Sequence, residues 1–148
     1  MAVPKLSTGI SNTQLSNDAW IEVSIKERKL RLRDRGNQVL MEVPIAVGKP
    51  TTPTPVGQFE VMEMMENPIW QNPFNTRTII GEKDPHNPLG LRWIGFKQAG
   101  ANDYGMHGTY NLSSIGRPVT NGCIRLRNED IIALFDQVEE GTQILVHP

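Results

Sequence analysis

The only cysteine of the chain, Cys123, follows His107 by sixteen positions, and each stands beside a glycine. The two stretches read Met106-His107-Gly108-Thr109 and Thr120-Asn121-Gly122-Cys123-Ile124-Arg125-Leu126. A thiol and an imidazole are the minimum parts of a site that makes and breaks acyl bonds through a thioester. The thiolate attacks a carbonyl, and the ring takes the thiol proton and then serves the second nucleophile. Gly122 permits a tight turn beside the nucleophile. Residue types alone also fit a duller reading, in which a lone cysteine is a small buried hydrophobe and a lone histidine a satisfied core or surface group.

The surrounding residues favour the chemical reading. Met-His-Gly, a spacer, Thr-x-Gly-Cys-Ile-Arg-Leu and then Asn128 resemble the L,D-transpeptidase catalytic domain (YkuD-type). Ile45-Ala46-Val47-Gly48-Lys49 followed by Thr52-Pro53-Thr54-Pro55-Val56-Gly57-Gln58-Phe59 is similar to that family's Gly-Lys and Thr-Pro-x-Gly-x-Phe segment. Asn87-Pro88-Leu89-Gly90 and Trp93-Ile94-Gly95-Phe96 resemble the stretch that precedes the His-Gly pair. The matches are co-linear and run over residues 18–148, with residues 1–17 expected to be a flexible arm or linker remnant.

The resemblance implies peptidoglycan stem peptides as partner and a 3→3 cross-linking reaction with release of D-Ala. Cys123 is the implied nucleophile, His107 the general base or ion-pair partner, and Gly108 the residue whose carbonyl orients the imidazole. That carbonyl does the work of the carboxylate in a Ser-His-Asp triad. The N–H groups of Gly122 and Cys123 are the expected oxyanion hole. Family members are also acylated by carbapenem-type β-lactams.

Many members carry His where this chain has Asn121. Asn cannot act as a base, so proton transfer falls to His107 and Asn121 is left with at most a hydrogen bond. Arg125, two positions after the nucleophile, points to the same side of an extended strand. There it could grip a substrate carboxylate bidentately, or be an ordinary solvated arginine. Thr120 is expected to fix the Gly-Cys turn. Tyr104 and Trp93 could line the cleft or pack in the core, and Arg127 reads as surface. The same constellation could instead run hydrolysis, as an L,D-carboxypeptidase or cross-link hydrolase. A non-catalytic wall-binding module is the reading of another class; retention of His107, Gly122, Cys123 and Arg125 together argues against it.

These residues must be positioned mostly by strands. Ile21, Val23 and Ile25 alternate, as do Leu30 and Leu32, and Val39, Met41, Val43, Ile45 and Val47 form the longest period-two run after an Asp34-Arg35-Gly36-Asn37 turn. Phe59 with Val61, Trp93 with Ile94, Tyr104 to His107 and Ile144 to Val146 mark further strands. A mainly β fold follows, a β-sandwich or barrel with one short amphipathic helix after the cysteine motif. In that helix Ile131, Leu134, Phe135 and Val138 make the apolar stripe, with Asn128 as its cap and Gly141 ending it. The Pro-, Gly- and Asn-rich stretch from Met65 to Gln98 is expected to wall the cleft beside Cys123.

With 148 residues the chain suffices for one domain without disulfides. A net charge of −1 gives no case for nucleic acid, and no apolar run approaches the ~20 residues of a membrane span. His86 and His147 have no partners at ligand spacing, so neither metal nor cofactor is expected. The first residues show no secretion signal, although the resemblance implies a place in the cell envelope. The acyl acceptor and the oligomeric state are not legible.

Overall fold

The period-two alternation of the chain's first third becomes a hairpin pair. Strands β1 (Trp20–Ser24), β2 (Lys29–Arg33) and β3 (Val39–Pro44) lie antiparallel in sequence order. The computed structural model describes residues 18–71, 75, 77–81, 84 and 86–148. The arm expected over residues 1–17 lies outside the described residues. A short β4 (Val47–Gly48) leads to β5 (Gly57–Glu60), β6 (Glu63–Glu66) and the small hairpin β7 (Trp70–Gln71) and β8 (Ile79–Ile80). Next come β9 (Arg92–Ala99), β10 (Asn102–His107), β11 (Pro118–Thr120) and β12 (Ile124–Arg125). Helix α1 (Asn128–Phe135) and β13 (Gln143–His147) complete the chain.

Two sheets carry the fold. The first has the order β3-β2-β1-β13-β5, with β13 parallel to β1; the second runs β12-β10-β9-β6, with β12 parallel to β10. One apolar cluster joins them. Ile21, Val23, Leu30, Leu32, Ile144 and Val146 of the first sheet belong to it, as do Ile94, Phe96, Met106 and Ile124 of the second. Ile131 and Leu134 of α1 enter the same cluster fully buried, each contributing roughly 2 kcal/mol by leaving water.

Three expectations are corrected. The run from Val39 to Val47 is not one strand. Its register against β2 slips by one residue at Leu40, which turns Val39 outward on the sheet's edge, where it is 47% exposed. At its other end Ala46 bridges Arg125, so the chain leaves the first sheet and delivers β4 to β11 beside the nucleophile. The helix stops at Phe135 rather than near Gly141, whose φ of +94° belongs to a later turn. Arg127, not Asn128, occupies the capping position, and its guanidinium bonds Asp130 Oδ2 at 2.8 Å.

Candidate active site

The second sheet brings His107 and the cysteine motif together by strand register. Across it Met64, Ile94, Met106 and Ile124 lie on paired rungs and face the core. The alternating residues on the other face are Met65, Trp93, His107 and Arg125, again on paired rungs. Cys123, just ahead of β12, opens on this same face, where it lines a cavity with Met65 and Trp93. Two motifs sixteen residues apart become neighbours because β10 and β12 run parallel.

His107 is buried, 5% exposed, and its Nδ1 donates to the carbonyl of Gly108 at 2.7 Å. A carbonyl only accepts, so this bond holds the proton on Nδ1 and leaves the Nε2 lone pair as the base. The ring stacks on Trp93 with centroids 6.2 Å apart, and Trp93 Nε1 donates to Glu63 at 3.0 Å. Burial pushes the imidazole down to about 4; the Gly108 carbonyl opposes the shift and Arg125 adds to it.

The half-buried Cys123 Sγ donates to the carbonyl of Asp103 at 3.6 Å. Burial pushes this thiol up, while the Gly105 N–H and the positive charge of Arg125 pull it partly back and Asp103 opposes them. Both shifts penalise charge, so the resting pair is thiol and imidazole rather than thiolate and imidazolium. Of the two roles open to His107, the direction of both shifts suits general base rather than ion-pair partner.

The turn before the thiol is held from behind. Thr120 Oγ1 donates to the Cys123 carbonyl at 2.6 Å and accepts the Gly122 N–H at 3.1 Å. The Gly122 N–H, one of the two expected oxyanion donors, is thus engaged inside the turn. The Thr120 carbonyl in turn accepts the Thr52 hydroxyl and the Lys49 N–H, both at 2.9 Å. Sequence reasoning missed that job for Lys49 and Thr52, although their motif was in view; only the β4–β11 pairing assigns it. Gly122 has φ +123°, and a Cβ there would stand 2.6 Å from Tyr104 Cε1. Gly122→Ala is therefore expected to destabilise by about 1–3 kcal/mol and to reduce turnover at least tenfold, read by thermal unfolding and product formation. Asn121 is exposed at the tip of the turn, and Tyr104 packs over Gly122 and against the core.

Cys123 and Trp93 open into a cavity of about 370 Å³ whose far wall is Pro68, Ile69, Trp70 and Leu89. The Pro-rich stretch thus walls the thiol's side of the cleft. A second cavity of about 230 Å³ is bordered by Arg125, His86, Thr109 and Asn111. Arg125 is half-buried, its Nε lacks a hydrogen-bond partner, and among the described residues it makes no ion pair. Burial lowers its pKa from the usual guanidinium value. His86 pairs with Asp84, and His147 with Glu22 on the first sheet. Among the described residues no three His, Cys, Asp or Glu side chains cluster as a metal site.

A sheet-borne thiol and imidazole, braced by a Thr-Gly-Cys turn and facing a loop-walled cleft, define the catalytic-domain class to which the chain is similar. The chain belongs to the L,D-transpeptidase catalytic domain family (YkuD), whose family model matches residues 18–146. It is 35% identical over 139 residues to YqjB of Bacillus subtilis (strain 168), which bears an L,D-transpeptidase name, covering 93% of this chain and 76% of that protein. It is also 35% identical to YkuD of the same strain, of whose length it spans only 65%. The catalytic domain of the E. faecium L,D-transpeptidase superposes with a TM-score of 0.67 at 28% identity, covering 88% of this chain and 97% of that domain.

Proposed function

We propose that this chain is a peptidoglycan L,D-transpeptidase working through a Cys123 thioester. The observation that carries the reading is the placement of Cys123 and His107 on one face of the second sheet, in a chain of this family. Cys123 Sγ attacks the carbonyl of the third residue of a tetrapeptide stem while His107 Nε2 takes the thiol proton. The imidazolium, steadied by the Gly108 carbonyl, gives that proton to the leaving D-Ala amine as the C–N bond breaks. An amine of a second stem then attacks the thioester, loses its proton to His107 and expels the thiol. The Cys123 N–H is the oxyanion donor in this scheme, with Gly122 shaping the turn rather than donating. Because the resting imidazole is a weak base, proton transfer must run together with attack, and the growing charge on sulfur and oxygen helps to hold the imidazolium.

Arg125 is the proposed holder of a stem carboxylate. A half-buried guanidinium with an unpartnered Nε, facing its own cavity, supports this. Arg125→Ala is expected to raise KM for tetrapeptide ~10–100-fold, as for loss of a charge-assisted hydrogen bond, with kcat changed much less. An unchanged KM would remove Arg125 from the binding site. Thr120 and Asn121 belong to the turn beside the thiol, and Tyr104 of β10 packs on it. Thr120 holds its backbone, Tyr104 buttresses Gly122, and Asn121 is free to bond the peptide.

Mixing the protein with purified disaccharide-tetrapeptide and weighing the products tests the function. Dimers that have lost one D-Ala are expected, and tripeptide monomers alone would mean that water resolves the thioester. The substrate puts the site of action in the cell envelope. No helix among the described residues is long and apolar enough to cross a membrane.

A further inference from the structure

We infer that Asn128 is a positioning residue for the general base, acting through the Gly90 turn and the Gly108 peptide on the His107 imidazole. The inference rests on the reading of His107 as the base. As the first residue of α1, Asn128 makes no capping bond; its Oδ1 instead reaches out of the helix and accepts the N–H of Leu91 at 3.0 Å. That bond ties the helix to the turn Leu89-Gly90-Leu91. From that turn the Leu89 carbonyl accepts the Gly108 N–H at 3.1 Å, and the Gly108 carbonyl accepts His107 Nδ1–H at 2.7 Å. Gly108 is thus held at its N–H, which the Arg92 carbonyl also reaches at 3.4 Å, while its carbonyl, in the next peptide unit, is spent on the imidazole.

Two glycines clear the space for this amide. Gly90, at φ +66°, would place a Cβ 2.5 Å from Asn128 Oδ1 and 2.4 Å from the Gly108 carbonyl carbon. A Cβ on Gly108 would stand 2.1 Å from the same Oδ1. Helix, turn and catalytic peptide meet at one oxygen with no slack. Removing it leaves the Leu91 N–H without its acceptor and opens a gap beside Gly108, so the Gly108–Thr109 peptide that carries the carbonyl can rotate. The imidazole then loses the bond that keeps its proton on Nδ1 and its lone pair on Nε2.

The test compares Asn128→Ala and Asn128→Asp with wild type. Turnover is counted per folded active site by titrating the Cys123 thiol, and the His107 ring tautomer is read from its ¹⁵N resonances. Asn128→Asp keeps the acceptor oxygen and places a carboxylate at a helix N-terminus, where it is tolerated. Expected are a 10–100-fold fall in kcat for Asn128→Ala with KM within about threefold, loss of the pure Nδ1–H tautomer, and recovery of both in Asn128→Asp. The added negative charge should also raise the acid limb of the Asp variant's pH–rate profile. Two results would overturn the inference. One is wild-type kcat and tautomer in Asn128→Ala; the other is a fall in kcat with the tautomer unchanged, which would mean a merely structural role. If wild type itself makes no cross-linked product, the transpeptidase reading fails, and the tautomer still decides the role of Asn128.

Discussion

Cys123→Ala is expected to abolish cross-linked dimer entirely, a loss on the order of 10⁴-fold or more, since no acyl-enzyme can form. The chain has no other cysteine, so no second thiol can take over. The substitution removes one half-buried sulfur that bonds the Asp103 carbonyl, and the fold should survive it. Mass analysis of products from disaccharide-tetrapeptide, beside wild type, checks the result. Dimer production at the wild-type rate by the Ala protein would end the thioester mechanism. Because the thiol's pKa is raised by burial, wild-type Cys123 should also alkylate slowly near neutral pH and faster as pH rises above its ordinary range.

His107→Gln should cost about 10²–10⁴ in kcat, the usual range for a lost general base, with KM changed far less. It should also change how stability depends on pH. The folded imidazole protonates at about 4, while the unfolded chain protonates near 6.5. Between those values the unfolded state binds a proton that the folded state refuses, so wild type loses stability as pH falls through that window. The loss approaches about 3 kcal/mol below pH 4. Glutamine does not titrate, so denaturant unfolding of His107→Gln at pH 7 and pH 4 should show a decline smaller by about that amount. Equal declines in the two proteins would mean that the ring is not held neutral. Wild-type activity should likewise fall only as pH approaches 4, where His107 becomes protonated.

Much of this was legible in the residues. Period-two alternation over Ile21 to Leu32 and Ile144 to Val146 marks strands because every second side chain must leave water, and those residues are buried. The helix stripe at Ile131 and Leu134 follows from the same local rule. The alternation of Val39 to Val47 misled because a one-residue slip against β2 reverses the faces, and nothing within the run reports its partner's register. Asn128 read as a cap since its type suits one; its true partner, the Leu91 N–H, lies thirty-seven residues away in sequence.

The sequence by itself determined the family, the mainly β class with one short helix, and the pairing of Cys123 with His107 as candidate nucleophile and base. Those rest on residue identity and local periodicity, which a chain carries along its length. Only the tertiary structure decided that burial disfavours charge on both groups, that Thr120 occupies the Gly122 N–H, and that Asn128 reaches the Gly90 turn beside Gly108. The first depends on desolvation and the third on hydrogen bonds between segments far apart in the chain. The second is a local bond whose turn is fixed by Lys49 and Thr52 from a distant segment, and all three exist only once the sheets close over the core.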